Sequence, residues 1–156
     1  MKRGMFVLNS KQTKAKEYLK QAFRYSEMLK ASLEEIESIR SMSTNIASPD
    51  LTKERVSKSH SSDPAFVNAV IKLADLERQV DQEIVDLLDM KQEIRNTINQ
   101  VSDVNGVLIL RYRYLDFMKW EDIADKMGYY SIKSLHRIHH SALEEVADIL
   151  EAKEAA

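Results

Sequence analysis

A short basic cluster near the carboxyl end holds the side chains of this chain that are best suited to binding chemistry. Residues 131–140 read SIKSLHRIHH, and acidic residues follow from Glu144 onward. Lysine and arginine pair with phosphates and guanine edges, and serine and histidine hydrogen-bond to base edges. The candidates for DNA contact in this cluster are Ser131, Lys133, Ser134, His136, Arg137 and His140. Earlier in the chain, Arg111 and Arg113 are candidates for contact with the phosphate backbone.

The histidines at positions 136, 139 and 140 are also candidate ligands for a metal ion. Spacings of three and four residues place pairs of side chains on one face of a helix. The chain has no cysteine, and no carboxylate is expected beside them. We therefore expect a polar, DNA-facing surface with no metal ion and no cofactor. Protonation near about pH 6–6.5 would add positive charge there, so DNA binding is expected to depend on pH.

This cluster lies within residues 107–150, whose pattern of apolar and turn residues predicts three helices. A turn that contains a glycine precedes the third helix. Trp120 opens the second helix, Gly128 ends it, and Ser131 caps the third. A turn of this kind presents its following helix to a DNA groove. The inner face of the first helix is expected to be Val107, Leu108, Leu110 and Tyr114. That of the third is expected to be Leu135, Ile138, Ala142, Leu143 and Val146, with the three histidines outward.

The sequence predicts two regions. Residues 1–101 form an N-terminal helical region, and residues 102–156 form a C-terminal module that contains the three helices described above. A stripe from Tyr18 to Ile39 predicts a first helix over about residues 11–41. A serine-rich loop follows at about 42–62. Asp63 and Pro64 then begin a second helix with a seam to Val101 that includes Val70 and Ile84. Asn105 and Gly106 are expected to weaken the helix at the boundary. The fold class is all-α, with the two long helices forming a hairpin or pairing between chains as a coiled coil.

The composition bounds the class of protein. The chain has 156 residues, a net charge of −2, 3 glycines and 2 prolines, which fits a helical, folded chain. No apolar run approaches the length of a membrane span, so we expect a cytoplasmic protein that does not bind membranes. No glycine-rich phosphate loop, complete metal-ligand set or activated nucleophile is evident, so we expect no enzymatic activity.

The C-terminal segments LILRYRY, KWEDIADKMGY and SIKSLHRIHHSALEEV resemble the helix-turn-helix of sigma factor region 4. They resemble more closely the RinA/ArpU-type late-transcription regulators of phages and prophages of low-GC Gram-positive bacteria. The chain departs from that pattern at Lys119, where a capping serine or threonine is common, and at Asp116, where a turn glycine is common. The matching positions are Arg111, Tyr112, Trp120, Glu121, Ile123, Ala124, Gly128, Tyr129, Ala142 and Leu143.

The resemblance implies a DNA-binding transcription regulator in a bacterial host cell, with RNA polymerase as a further partner. Because the positive charge available for DNA is confined to one short helix end and to Arg111 and Arg113, useful affinity requires a second copy, joined through the N-terminal helices, or a polymerase partner. We expect a homo-oligomer, with a dimer favoured. Two other functions remain open. A small terminase-like DNA-packaging subunit also joins a helix-turn-helix to oligomerising helices. A helical protein-interaction adaptor would bind partners without DNA.

Overall fold

The computed structural model describes residues 7–47, 64–128 and 131–156, and the described parts form six helices. All regular structure in these ranges is helical, which confirms the all-α class. No helix there is long and apolar enough to cross a membrane. The expected cap Asp63, the motif residue Tyr129 and most of the serine-rich loop lie outside these ranges. The helices are α1 (Ser10–Leu19), α2 (Gln21–Ala47), α3 (Pro64–Ile98), α4 (Val104–Tyr114), α5 (Trp120–Met127) and α6 (Ile132–Glu154).

The first predicted helix is divided into α1 and α2 at Lys20, where the ψ angle of −9° departs from the helical value of about −42°. The break contradicts the expected single helix. The expected apolar stripe from Tyr18 to Ile39 is confirmed, since Ala22 and Ile36 are buried and the other members of the stripe are half-buried. The α2 helix continues to Ala47, so residues 42–47 are helical where a loop was expected. Asn9 starts α1 with a reciprocal capping box to Gln12.

Residues 26–86 form one compact unit, in which α2 and α3 run antiparallel. Ser32 donates to Glu83 at 3.1 Å, and Arg40 pairs with Glu77 at 2.6 Å, so the two helices associate within one chain. The hairpin alternative is therefore seen in this unit. Val70 and Ile84, expected on the seam, are instead 47% and 39% exposed. Glu83, the neighbour of Ile84, is half-buried and accepts the hydrogen bond from Ser32 across the pair.

The second compact unit comprises residues up to Tyr25 together with residues 87–156. The expected boundary between Val101 and Ser102 lies inside this unit. Its larger core joins α1, the end of α3, α4 and α6. Its smaller core, centred on Ile109, Ile123 and Leu135, joins α4, α5 and α6. The C-terminal helices therefore pack on one side against α1, which was expected to belong to the N-terminal region.

Gly106, which was expected only to weaken the helix locally together with Asn105, has a packing role. Both residues lie within the first turn of α4, which Asp103 caps by accepting from the Asn105 N–H at 3.1 Å. A Cβ at Gly106 would meet the Ala142 Cβ at 3.2 Å. The missing side chain therefore allows α6 to pack closely against α4. Ile109, which the expected inner face omitted, is fully buried, whereas Val107 and Leu108 are half-buried.

Candidate nucleic-acid interface

The turn between α5 and α6 fixes where the candidate interface begins. Gly128 ends α5 with a φ of 84°, in the left-handed region, and its N–H donates to the carbonyls of Ala124 and Asp125. The Ser131 hydroxyl caps α6 by accepting from the Ser134 N–H at 3.1 Å. These two predicted signals are confirmed. Lys119, where the motifs that this segment resembles commonly carry a capping serine or threonine, is the N-cap residue of α5 and makes no side-chain cap hydrogen bond.

Two cations on the solvent side of α6 form the most accessible part of the predicted cluster. Lys133 and Arg137 are exposed and four residues apart, so they share one helix face. Neither forms an ion pair within the described ranges. Ser131 is exposed and Ser134 half-buried, and their hydroxyls hydrogen-bond to each other at 2.9 Å. The free cations and the capped helix start together form a surface suited to phosphate.

The histidines lie on a different face of α6, and His139 contradicts the expectation that all three point outward. His139 is only 3% exposed, and its Nε2 shares a 2.7 Å hydrogen bond with the hydroxyl of Tyr114 on α4. The Trp120 ring packs at 4.4 Å from His136 and 4.8 Å from His139, between ring centroids. The sequence did contain a signal for the burial of His139. Position 139 lies four residues from each of the buried positions 135 and 143, so all three share one face of α6.

The three histidines line one pocket of about 310 Å³, together with Leu8, Lys16 and Trp120. His136 and His140 are half-buried there. Leu8 and Lys16 are far from this cluster in the sequence, and only the packing of α1 and the residues before it against α6 brings them to it. The predicted DNA-contact set is thus divided between an exposed face and a pocket face.

Burial lowers the pKa of all three histidines. The pKa of His139 falls to about 3, first through burial and then through the nearby charges of His140, His136, Lys16 and Arg113. Burial is also the main cause of the lowered pKa values of His136 and His140. The expected protonation near about pH 6–6.5 is therefore displaced to more acidic pH.

Arg111 and Arg113 already have partners within the protein. Arg113 donates from Nη1 to the Met118 carbonyl at 2.8 Å, and its guanidinium lies 5.1 Å from the centroid of the Trp120 ring. This places Arg113 in support of the turn between α4 and α5. Arg111 donates to the side-chain carbonyl of Asn99, and both arginines are half-buried. A phosphate contact from either residue would compete with these bonds.

The acidic half of α6 is used for packing. Lys11 pairs with Asp148 at 2.9 Å, Asn9 donates to Glu144 at 3.0 Å, and the Ser102 N–H donates to Glu145 at 2.8 Å. These bonds join α6 to the start of α1 and to the segment before α4. The negative charges that follow the basic cluster therefore have partners inside the same unit.

Comparison with known proteins identifies a family but no characterised relative. No curated protein and no solved structure matches the chain. A family model described as a protein of unknown function, DUF1492, matches residues 45–147, about two thirds of the chain. The matched range includes α3, α4, α5 and most of α6, with its basic cluster. The chain therefore belongs to the DUF1492 family.

Proposed function

We propose that this chain is a sequence-specific DNA-binding regulator of transcription of the phage or prophage type, in which α5 and α6 act as a helix-turn-helix. One observation carries the proposal. Lys133 and Arg137 are exposed in the first turns of α6 and form no ion pair with any residue that the structure describes, whereas Glu144, Glu145 and Asp148 of the same helix bond to neighbouring segments. The first turns of a recognition helix are the part that contacts base edges.

The two cations have separable roles in this proposal. Lys133 neutralises a phosphate, and Arg137 reads a guanine edge or contacts a second phosphate. RNA polymerase is a further proposed partner, on the resemblance of the C-terminal segments to sigma region 4. Because the start of α6 offers only two exposed cations, Lys133 and Arg137, binding by a single copy is weak and salt-dependent. Two copies on adjacent half-sites would supply the missing affinity.

Selection of bound sequences from random duplex DNA, followed by anisotropy titrations at several salt concentrations, tests the proposal. We expect Lys133→Ala to reduce the salt slope by about one for each bound copy and to weaken binding to all sequences similarly. If Arg137 reads a guanine, Arg137→Ala costs about 1–3 kcal/mol on the selected site and relaxes specificity there.

Lys30→Ala is the matched control, since Lys30 is an exposed lysine of α2 outside the candidate interface. It should leave both the affinity and the salt slope unchanged. No salt-dependent binding of the wild-type chain at low ionic strength would contradict the proposal and favour an adaptor. A ring of many copies in solution would favour the packaging subunit.

A further inference from the structure

The histidine cluster of α6 is not used by the proposed DNA contacts. One ring nitrogen from each of His136, His139 and His140 can be chosen so that all three lie within 4.8 Å of one another. The three residues belong to one regular helix, which holds their backbone positions fixed. Imidazole nitrogens suit zinc, copper and nickel ions, and three histidines form a well-known zinc ligand set.

His139 has the arrangement expected of a metal-binding histidine. Its Nε2 is hydrogen-bonded to Tyr114, whereas its buried Nδ1 has no hydrogen-bond partner within the described ranges. A buried polar atom without a partner is costly, and metal ligation at Nδ1 would satisfy it. Metal-bound histidines almost always donate their other ring N–H to a fixed acceptor, and the Tyr114 hydroxyl oxygen is placed to accept from Nε2–H.

We propose that His136, His139 and His140 bind one divalent transition-metal ion of the zinc type, with His139 ligating through Nδ1. The pocket they line supplies space for a fourth ligand, a water or a small anion. Tyr114 acts as a positioning residue that orients the His139 ring. This site lies beyond the proposed function and does not depend on DNA binding.

Closing the site requires only side-chain movement. Tetrahedral coordination at about 2.05 Å brings ligand nitrogens to about 3.3 Å from one another. His136 and His140 are half-buried at the pocket, so rotation of their side chains can supply this contraction. The nearby cations Lys16 and Arg113 oppose a metal ion and favour an anion as its fourth ligand. We therefore expect weaker binding than at a closed structural zinc site.

Calorimetric titration of the full, tag-free chain with zinc after treatment with a chelator tests the site. We expect one ion per chain, and a tetrahedral visible absorption spectrum when cobalt(II) replaces zinc. His136→Gln and His140→Gln should each weaken zinc binding by more than about tenfold, and Tyr114→Phe by on the order of tenfold. Lys16→Gln should strengthen zinc binding, because it removes a repelling charge.

His60→Gln is the matched control, since His60 is the one other histidine of the chain. It should leave zinc binding unchanged, and circular dichroism should show that every variant keeps its helical content. The proposal is overturned if the wild-type chain shows no saturable zinc binding. It is equally overturned if binding survives His136→Gln/His140→Gln or disappears in His60→Gln.

Discussion

At the scale of single residues, the pair of Tyr114 and His139 shows how one buried polar contact holds α4 against α6. Tyr114 is 4% exposed and His139 is 3% exposed. Burial raises the pKa of Tyr114 and lowers that of His139, so both side chains stay neutral over the physiological range. Their 2.7 Å hydrogen bond satisfies one polar atom on each, in a place where an unpaired group would be costly.

Neutral His139 makes the stability of the protein depend on pH. Its pKa is about 3 when folded, against 6.5 as the ordinary value, so the unfolded chain binds more protons between those limits. This contribution is fully present above about pH 6.5 and is lost as the pH falls toward about 3. The metal-free protein should lose about 1.4 kcal/mol from His139 between pH 7.5 and 5.5, as measured by urea unfolding in the presence of a chelator.

His139→Gln removes this titration and should reduce the difference between the two pH values. The groups that face His139 are Lys16 from α1, Arg113 and Tyr114 from α4, and the other two histidines of α6. Burial also lowers the pKa values of His136 and His140, so these two histidines leave a residual slope of the same sign. An NMR titration that places the His139 pKa near 6.5 would contradict the prediction.

The sequence predicted local features of the site more accurately than long-range ones. Gly128 and Ser131 act through backbone bonds to their own neighbours, so residue type and spacing were sufficient to predict their roles. The burial of His139 depends on Tyr114, which lies on another helix. The position of Lys16 in the pocket depends on α1 packing against α6. Neither relation can be read from a period within one helix.

At the scale of elements, Gly128 ends α5 three residues before Ser131, the residue that caps α6. Gly128 has a φ of 84°, and a Cβ there would meet nothing within 4 Å. Any cost of a side chain at this position is therefore conformational and not steric. The same left-handed residue lets its N–H bond back to the carbonyls of α5.

Gly128→Ala should lower the free energy of unfolding by about 1–2 kcal/mol, because an L-residue is strained in the left-handed region. Asparagine adopts this conformation more readily, so Gly128→Asn is the matched variant and should lose less. Urea denaturation of both variants measures the difference. Equal stability of Gly128→Ala and the wild type would show that the turn relaxes to another conformation.

At the scale of the whole molecule, the unit of residues 26–86 leaves apolar side chains exposed. Met28 is 58% exposed, Val67 is 42% exposed and Ile71 is 53% exposed. Two helices that pack only against each other bury one face of each, so apolar residues on any other face stay exposed. The DNA-binding proposal also favours a second copy, since the basic cluster of α6 offers only two exposed cations, Lys133 and Arg137. We therefore expect this unit to carry the contact between two copies of the chain.

Val67→Glu/Ile71→Glu tests this expectation, because the two positions lie one turn apart on the same face of α3. The wild-type chain should be dimeric by light scattering, and the variant should be monomeric and keep its helical content, since both positions are exposed within a single chain. Asn68→Glu/Lys72→Gln changes the net charge by the same amount at exposed positions nearby and should remain dimeric.

The monomeric variant should also bind the selected DNA more weakly and with a shallower salt slope, because it would neutralise fewer phosphates per complex. A wild-type chain that stays monomeric at the concentrations used for DNA binding would contradict the expected dimer. Its additional affinity for DNA would then have to come from another partner.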